Sequence, residues 1–175
     1  VIAFGARQLA NDPKSPKYIN SPETDIYHKS KSLYGISFAR KSIIQHDECF
    51  LVEGYTDVVS LFQAGVENVV ASSGTSLTPE QIRLIARFTG NITILYDGDP
   101  AGIKASLRGI DLILEEGLNV KVVLFPDGDD PDSFARKNST SQLIDYISKN
   151  AVDFIGFKTS LLLKEVANDP MRKAA

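Results

Sequence analysis

The chain has a single cysteine, no apolar run of membrane-spanning length and no repeat or low-complexity segment, and its net charge is only −3. One cysteine excludes an internal disulfide framework and fits a reducing compartment. It lies in the run Cys49-Phe50-Leu51-Val52, so it reads as core and not as a reactive thiol. Without a spanning run or a signal-like N-terminus, nothing argues for membrane insertion or secretion, and the expectation is a cytoplasmic chain with no membrane partner. The weak net charge removes any overall pull toward nucleic acid.

What is present is one ordinary domain's worth of material, 175 residues of which 43% are hydrophobic, enough to bury a core. Charge is unevenly placed. Residues 1–46 carry Arg7, Lys14, Lys17, Lys29, Lys31, Arg40 and Lys41 against Asp12, Glu23 and Asp25, while Asp127, Asp129, Asp130 and Asp132 crowd into six positions. A basic region beside an acidic one can hold a polyanion on one side and divalent cations on the other; solvated surface charge is the plain alternative.

From Glu48 onward strand and helix signals alternate. Cys49–Val52, Val69–Ala71, Ile92–Tyr96 and Val120–Phe125 read as strands. Val58, Val59, Leu61 and Phe62 fall at helical spacing ahead of Gly65. Thr78-Pro79-Glu80-Gln81 supplies an N-cap, a first-turn proline and a capping-box glutamine for a helix whose apolar face is Ile82, Ile85 and Phe88. Pro100–Glu116 is predicted helical with Leu107, Ile110 and Leu114 inward, and further helices are expected around Ser133–Lys137, Gln142–Ser148 and Asp153–Ala167. Such alternation predicts an α/β fold, a mostly parallel sheet with helices on both faces. Ahead of it, Val1–Gly5 looks like a strand and Ser30–Ile44 like a helix, at the edge of a preceding subdomain.

Functional groups of an open parallel sheet gather outside the carboxyl ends of its strands. Glu53 follows the first strand, Asp97 and Asp99 the third, and Asp127 to Asp132 the fourth. In an extended segment, side chains two apart share a side, so Asp97 and Asp99 can face one locus, and Gly98 between them admits close approach. Clustered carboxylates resist ionising together unless a cation compensates, and Mg²⁺ or Mn²⁺ is the oxygen-seeking choice. Two such ions about 3.5–4 Å apart can activate a 3′-hydroxyl and stabilise leaving pyrophosphate. The plainer readings are an N-cap at Asp99 before Pro100, a turn at Asp97-Gly98, and Glu53 and Asp57 as ordinary acids at a helix start.

Phe50-Leu51-Val52-Glu53-Gly54-Tyr55-Thr56-Asp57 and Tyr96-Asp97-Gly98-Asp99-Pro100-Ala101-Gly102 resemble the glutamate and Asp-x-Asp motifs of the TOPRIM fold, shared by bacterial primases, type IA and type II topoisomerases and related nucleases. Pro16-Lys17-Tyr18-Ile19-Asn20-Ser21-Pro22-Glu23-Thr24, Ala71-Ser72-Ser73-Gly74-Thr75 and Phe125-Pro126-Asp127-Gly128-Asp129-Asp130-Pro131-Asp132 are similar to the bacterial DnaG-type primases in particular. The likeness runs through about residue 138. It implies RNA primer synthesis on single-stranded DNA from ribonucleoside triphosphates, with Mg²⁺ or Mn²⁺. Glu53, Asp97 and Asp99 are the implied principal acids and Asp57, Asp130 and Asp132 further metal ligands. Arg7, Lys17, Asn20 and Lys29 are implied on the nucleic-acid and nucleotide path. The implied partners are template, primer, triphosphates and, through a region outside these residues, the replicative helicase at the bacterial replication fork.

On this reading residues 1–46 are the end of a basic nucleic-acid-binding subdomain, 47–127 a TOPRIM α/β domain, and 128–175 an acidic loop with a helical segment. The chain is expected to be a fragment of the catalytic core, with zinc confined to a Cys/His module it does not contain. Thr56 stands where an apolar residue is common in the family, and Pro100 where arginine is. Three other readings remain at this point: TOPRIM strand cleavage of the topoisomerase or nuclease kind, a haloacid dehalogenase-like phosphatase with Asp97 as nucleophile, and a nucleic-acid-binding module whose basic residues hold DNA without chemistry. The first would need a nucleophilic tyrosine, whereas Tyr55 and Tyr96 read as packing residues. The second wants its acids after the first strand.

Overall fold

The computed structural model describes residues 1–8, 18–72, 76–97, 100–126 and 128–168. Two short strands, β1 (Gly5–Arg7) and β2 (Tyr18–Asn20), pair antiparallel with Gly5 opposite Asn20 and Arg7 opposite Tyr18. The main sheet follows. Strands β3 (Cys49–Val52), β4 (Val69–Ala71), β5 (Asn91–Tyr96) and β6 (Asn119–Leu124) are parallel, and β7 (Val152–Asp153) adds antiparallel to β6, in the order β4-β3-β5-β6-β7.

Seven helices accompany these strands among the described residues: α1 (Ile36–His46), α2 (Tyr55–Gln63), α3 (Pro79–Ala86), α4 (Pro100–Glu115), α5 (Pro131–Lys137), α6 (Thr140–Asn150) and α7 (Phe154–Asn168). They sort onto the two faces of the sheet by the period-2 alternation of strand side chains. Leu51, Ile94 and Val122 point into one cluster with Ile43 of α1, Ile82 and Ile85 of α3, Ile110 and Ile113 of α4 and Phe157 of α7. Their chain neighbours Val52, Leu95 and Val123 point into the other, with Val58 and Leu61 of α2, Phe134 of α5 and Leu143 and Ile147 of α6. A strand covered on both faces is mostly apolar, which is why β3 reads as a continuous hydrophobic run and why β5 and β6, past their first asparagines, are broken only by the buried Thr93 and the exposed Lys121. Each of these large side chains contributes about 1.5–3 kcal/mol on burial.

The α/β class, the parallel sheet and its helical cover agree with the sequence expectation, and so do the cap, first-turn proline and capping box of α3. Four local expectations do not. Ser30–Ile44 is not one helix: Lys29–Lys31 forms a short 3-10 turn, and Tyr34 is drawn into an extended bridge with Ala71 (N–H to O, 2.9 and 3.1 Å) because β4 is the open edge of the sheet. Gly35, at φ 84°, then turns the chain into α1, a backbone conformation that favours glycine. At the N-terminus the strand begins only at Gly5; Phe4 is held by Ser21 instead, through the Ser21 N–H and hydroxyl. The inward stripe of α4 runs through Ile110 and Ile113, with Leu107 half-buried and Leu114 exposed, so the buried face is centred between positions 110 and 113 and Leu114 falls off its edge. α2 forms as the spacing predicted, with Val58 and Leu61 buried and Val59 and Phe62 partly exposed. Asp153, expected at a helix start, instead forms β7 with Val152.

No helix of the described residues is long and apolar enough to cross a membrane.

Candidate active site

The parallel register sets the site. Leu51 of β3 pairs with Ile94 of β5, and Tyr96 with Leu124 of β6. The chain therefore leaves three adjacent strands at one end of the sheet, at Glu53, at Asp97 and, past Phe125, on the way to Asp130. A cavity of about 700 Å³ opens there, lined by Glu53, Asp57, Asp97 and Asp130 together with Arg7, Asn20, Tyr96 and Arg108. Four carboxylates from three separate stretches of the sequence thus share one space.

Their surroundings differ. Glu53 and Asp97 are exposed. Asp57 sits in the first turn of α2, 9% exposed, where its Oδ2 accepts the Gly54 N–H at 3.0 Å. Burial pushes its carboxyl from 3.8 up to about 7; the Gly54 bond opposes this, and the charges of Asp130, Asp97 and Asp132 push further in the same direction. Those repulsions show that the neighbouring acids are close enough to burden one another. Beside them the Tyr96 phenol is raised by burial and by the charge of Glu53, against which Arg108 acts. Asp130 also caps α5, its Oδ1 accepting the Ser133 N–H at 2.7 Å. Asp132 lies outside the lining: its Oδ1 accepts from Ser60 and, at 2.8 Å, from Arg136. Asp129 is held below the usual carboxylate range by Lys137 and Ser133.

The β1–β2 pair reaches the cavity through a cluster of tyrosines on α2's first turn. The Tyr55 hydroxyl donates to Asn20 Oδ1, the Tyr55 ring lies 6.0 Å from that of Tyr18 and 4.9 Å from that of Tyr34, and the Arg7 guanidinium stands 5.9 Å from the Tyr18 ring centre. Gly5 makes this docking possible, because a Cβ there would meet the Tyr55 ring at 2.5 Å. Tyr55 is thus the packing residue the sequence indicated, and the one that carries Arg7 and Asn20 to the acids.

Lys29 is not among the lining residues; its N–H donates to Glu23 and its carbonyl accepts from Gln81, fixing the 3-10 turn beside α3. Asp99, Lys17 and Asp127 lie outside the described residues. Among the described residues no three His, Cys, Asp or Glu side chains stand close enough together to hold a metal ion. The donors that are gathered are all carboxylate oxygens in mutual repulsion, the set that suits a hard divalent cation and not zinc or copper. Arg108 escaped sequence reasoning. Its signal was available: it lies seven residues after Ala101, on the same helix face as the turn that follows the Asp-x-Asp motif.

The chain matches the family model described as "Toprim-like" over residues 50–135, and that described as "DNA primase catalytic core, N-terminal domain" over residues 1–40. It is 45% identical over 166 residues to the DNA primase of Clostridium acetobutylicum, covering 95% of this chain and 27% of that protein. The chain belongs to the bacterial DnaG-type DNA primase family. Its fold is correspondingly similar to a DNA primase domain from Pseudomonas aeruginosa (TM-score 0.86, 38% identity, 94% of this chain and 52% of that one) and to a DnaG primase catalytic domain solved with single-stranded DNA (TM-score 0.83, 39% identity, 94% and 52%). It spans about a quarter of the length of the curated primases it matches. The TOPRIM part of this primase-family chain contains Glu53, Asp57, Asp97 and Asp130, and the part matching the primase N-terminal model contributes Arg7 and Asn20. The phosphatase reading does not suit this topology, because Asp97 follows the third strand of the sheet along the chain.

Proposed function

We propose that this chain is the part of a primase catalytic core that joins ribonucleotides into short RNA primers on a single-stranded DNA template. The observation that carries the reading is the meeting of Glu53, Asp57, Asp97 and Asp130 in one cavity that also receives Arg7 and Asn20. In the reaction, a primer 3′-hydroxyl oxygen bonds to the α-phosphorus of the incoming triphosphate, the bond from that phosphorus to the bridging oxygen breaks, pyrophosphate leaves and the hydroxyl proton passes to solvent. Glu53, Asp97 and Asp99 would hold Mg²⁺ or Mn²⁺, aided by Asp57, Asp130 and Asp132; when bound, the cation offsets phosphate charge and favours the alkoxide. Asp57, half-protonated near neutral pH, would lose its proton as the cation enters. Arg7, Lys17 and Lys29 would neutralise phosphate charge on strand and nucleotide, and Asn20 would hydrogen-bond there, contacts that position a strand without reading its bases.

A primase catalytic domain of similar fold has been solved bound to single-stranded DNA, which supports nucleic acid as the partner here. The whole protein would work in the bacterial cytoplasm at the replication fork with the replicative helicase, through a region outside these residues. The test is incorporation of labelled ribonucleotides on single-stranded DNA by the full-length parent: Glu53→Ala and Asp97→Ala should each abolish it, and persistent synthesis in either variant overturns the assignment.

A further inference from the structure

We infer that Arg108 on α4 is the seat for the β- and γ-phosphates of the incoming ribonucleoside triphosphate, an inference that rests on the proposed reaction. The cavity is flanked by two guanidinium groups that arrive from opposite faces of the sheet. Arg7 comes from the β1–β2 pair docked on the first turn of α2, whose Val58 and Leu61 pack on one face. Arg108 comes from α4, whose Ile110 and Ile113 pack on the other. Both line the same space as Glu53 and Asp97.

Arg108 has the features of a ligand-binding cation. It is exposed and forms no salt bridge among the described residues. Its stretch of wall includes Leu77, Gly109 and Leu112, which offer no competing charge to a forked, charge-assisted guanidinium–phosphate contact. The absent Cβ of Gly109 lets α4 sit close to Tyr96, since a Cβ there would lie 3.3 Å from the Tyr96 hydroxyl oxygen, and this holds Arg108 near the acidic end of β5.

The shape of the charge selects the ligand. An extended strand is held by a stripe of cations spaced along its backbone. In sequence α4 carries Lys104 and Arg108, four apart, and beyond them Asp111, paired with Lys158, and Glu115. Two cations followed by acids, beside a carboxylate cavity, make no long stripe and fit a compact polyphosphate whose charge is shared between a forked donor and the cation held by the carboxylates. Arg7 is then left for the strand.

The test uses full-length parent protein carrying Arg108→Ala and Arg108→Lys, with thermal melting as the folding control. The expected result is a rise of about tenfold or more in KM for ribonucleoside triphosphate in Arg108→Ala, single-stranded DNA affinity within twofold of wild type, and partial recovery in Arg108→Lys. An unchanged KM overturns the inference, as does a loss of DNA affinity at constant KM, which would assign Arg108 to the strand. If the wild-type parent makes no primer, the proposed reaction falls and Arg108 is judged separately. Pyrophosphate is titrated with Mn²⁺ into this chain by calorimetry: weaker binding in Arg108→Ala upholds the phosphate seat, and equal binding rejects it.

Discussion

The Ser60 hydroxyl donates to Asp132 Oδ1, joining α2 to α5 across 72 positions of chain, and Arg136 donates to the same oxygen at 2.8 Å. Asp132 is therefore partly committed to bracing the acidic loop against α2, whereas Glu53 and Asp97 stand exposed at the strand ends. Calorimetric titration of Mn²⁺ should consequently rank the variants. Glu53→Ala, Asp97→Ala and Asp99→Ala should lose most of the binding heat, and Asp132→Asn should keep more of it while lowering the denaturation midpoint. Ser60→Ala should cost about 1–2 kcal/mol in urea denaturation, as expected when a half-buried carboxylate loses a donor. Equal heats in all the metal-site variants and wild type would reject the site.

Asp57 sets a pH dependence whose sign is fixed. Its carboxyl rises from 3.8 to about 7 on folding, so the folded chain binds this proton more tightly than the unfolded chain does. The resulting stabilisation is complete below about pH 4 and is lost as pH climbs through 7. Urea denaturation between pH 5 and 8 should show stability falling by an amount on the order of 2–4 kcal/mol at most. Asp57→Asn should flatten that slope, and Mg²⁺ should raise the melting temperature more at pH 8 than at pH 5, because a cation offsets the repulsion only when Asp57 is ionised.

Gln81 is fully buried, and its amide is used on both sides: Oε1 accepts the Thr78 N–H, while Nε2 donates to the carbonyls of Lys29 and Ser32 at 3.0 and 2.8 Å. Gln81→Leu removes all three bonds and strands two backbone carbonyls, each worth about 1–3 kcal/mol when unsatisfied. The expected loss is on the order of 3 kcal/mol by chemical denaturation, with hydrogen exchange speeding up first in residues 28–33.

Gly5→Ala should unseat the β1–β2 pair, since the new Cβ would overlap the Tyr55 ring at 2.5 Å and that ring is already held by Tyr18, Tyr34 and Asn20. Single-stranded DNA affinity of the parent should drop severalfold while the melting temperature of the sheet holds. Gly90→Ala, where a Cβ meets nothing within 4 Å, is the matched control and should change neither.

Gln81 also shows where the sequence is legible and where it stops. Its capping role followed from Thr78-Pro79-Glu80-Gln81, because that pattern is local. Its hold on residues 29 and 32 is 49 to 52 positions away and leaves no trace in spacing. The same division runs through the molecule. Strands β3 to β6 were readable because burial on both faces makes them mainly apolar, with Thr93 and Lys121 as the polar interruptions. The bridge of Tyr34 to Ala71 was not, because an unpaired sheet edge recruited a segment whose own pattern looked helical. β7 is two residues long, too short for any periodicity. At the site, the placement of Glu53, Asp97 and Asp130 followed from strand ends in a parallel sheet and that of Asp57 from the motif resemblance, while Arg108 reaches the cavity from the third turn of a helix, where its charge looks like any solvated arginine.

The lone thiol has a use of its own. Cys49 is wholly enclosed on β3, a strand with neighbours on either side, and burial pushes its thiol well above the ordinary range. A thiol reagent can modify it only when the middle of the sheet opens, so its labelling rate times those openings without any engineered probe. A second cysteine introduced at an exposed position would react alone under native conditions, leaving the acid-bearing end of the sheet untouched.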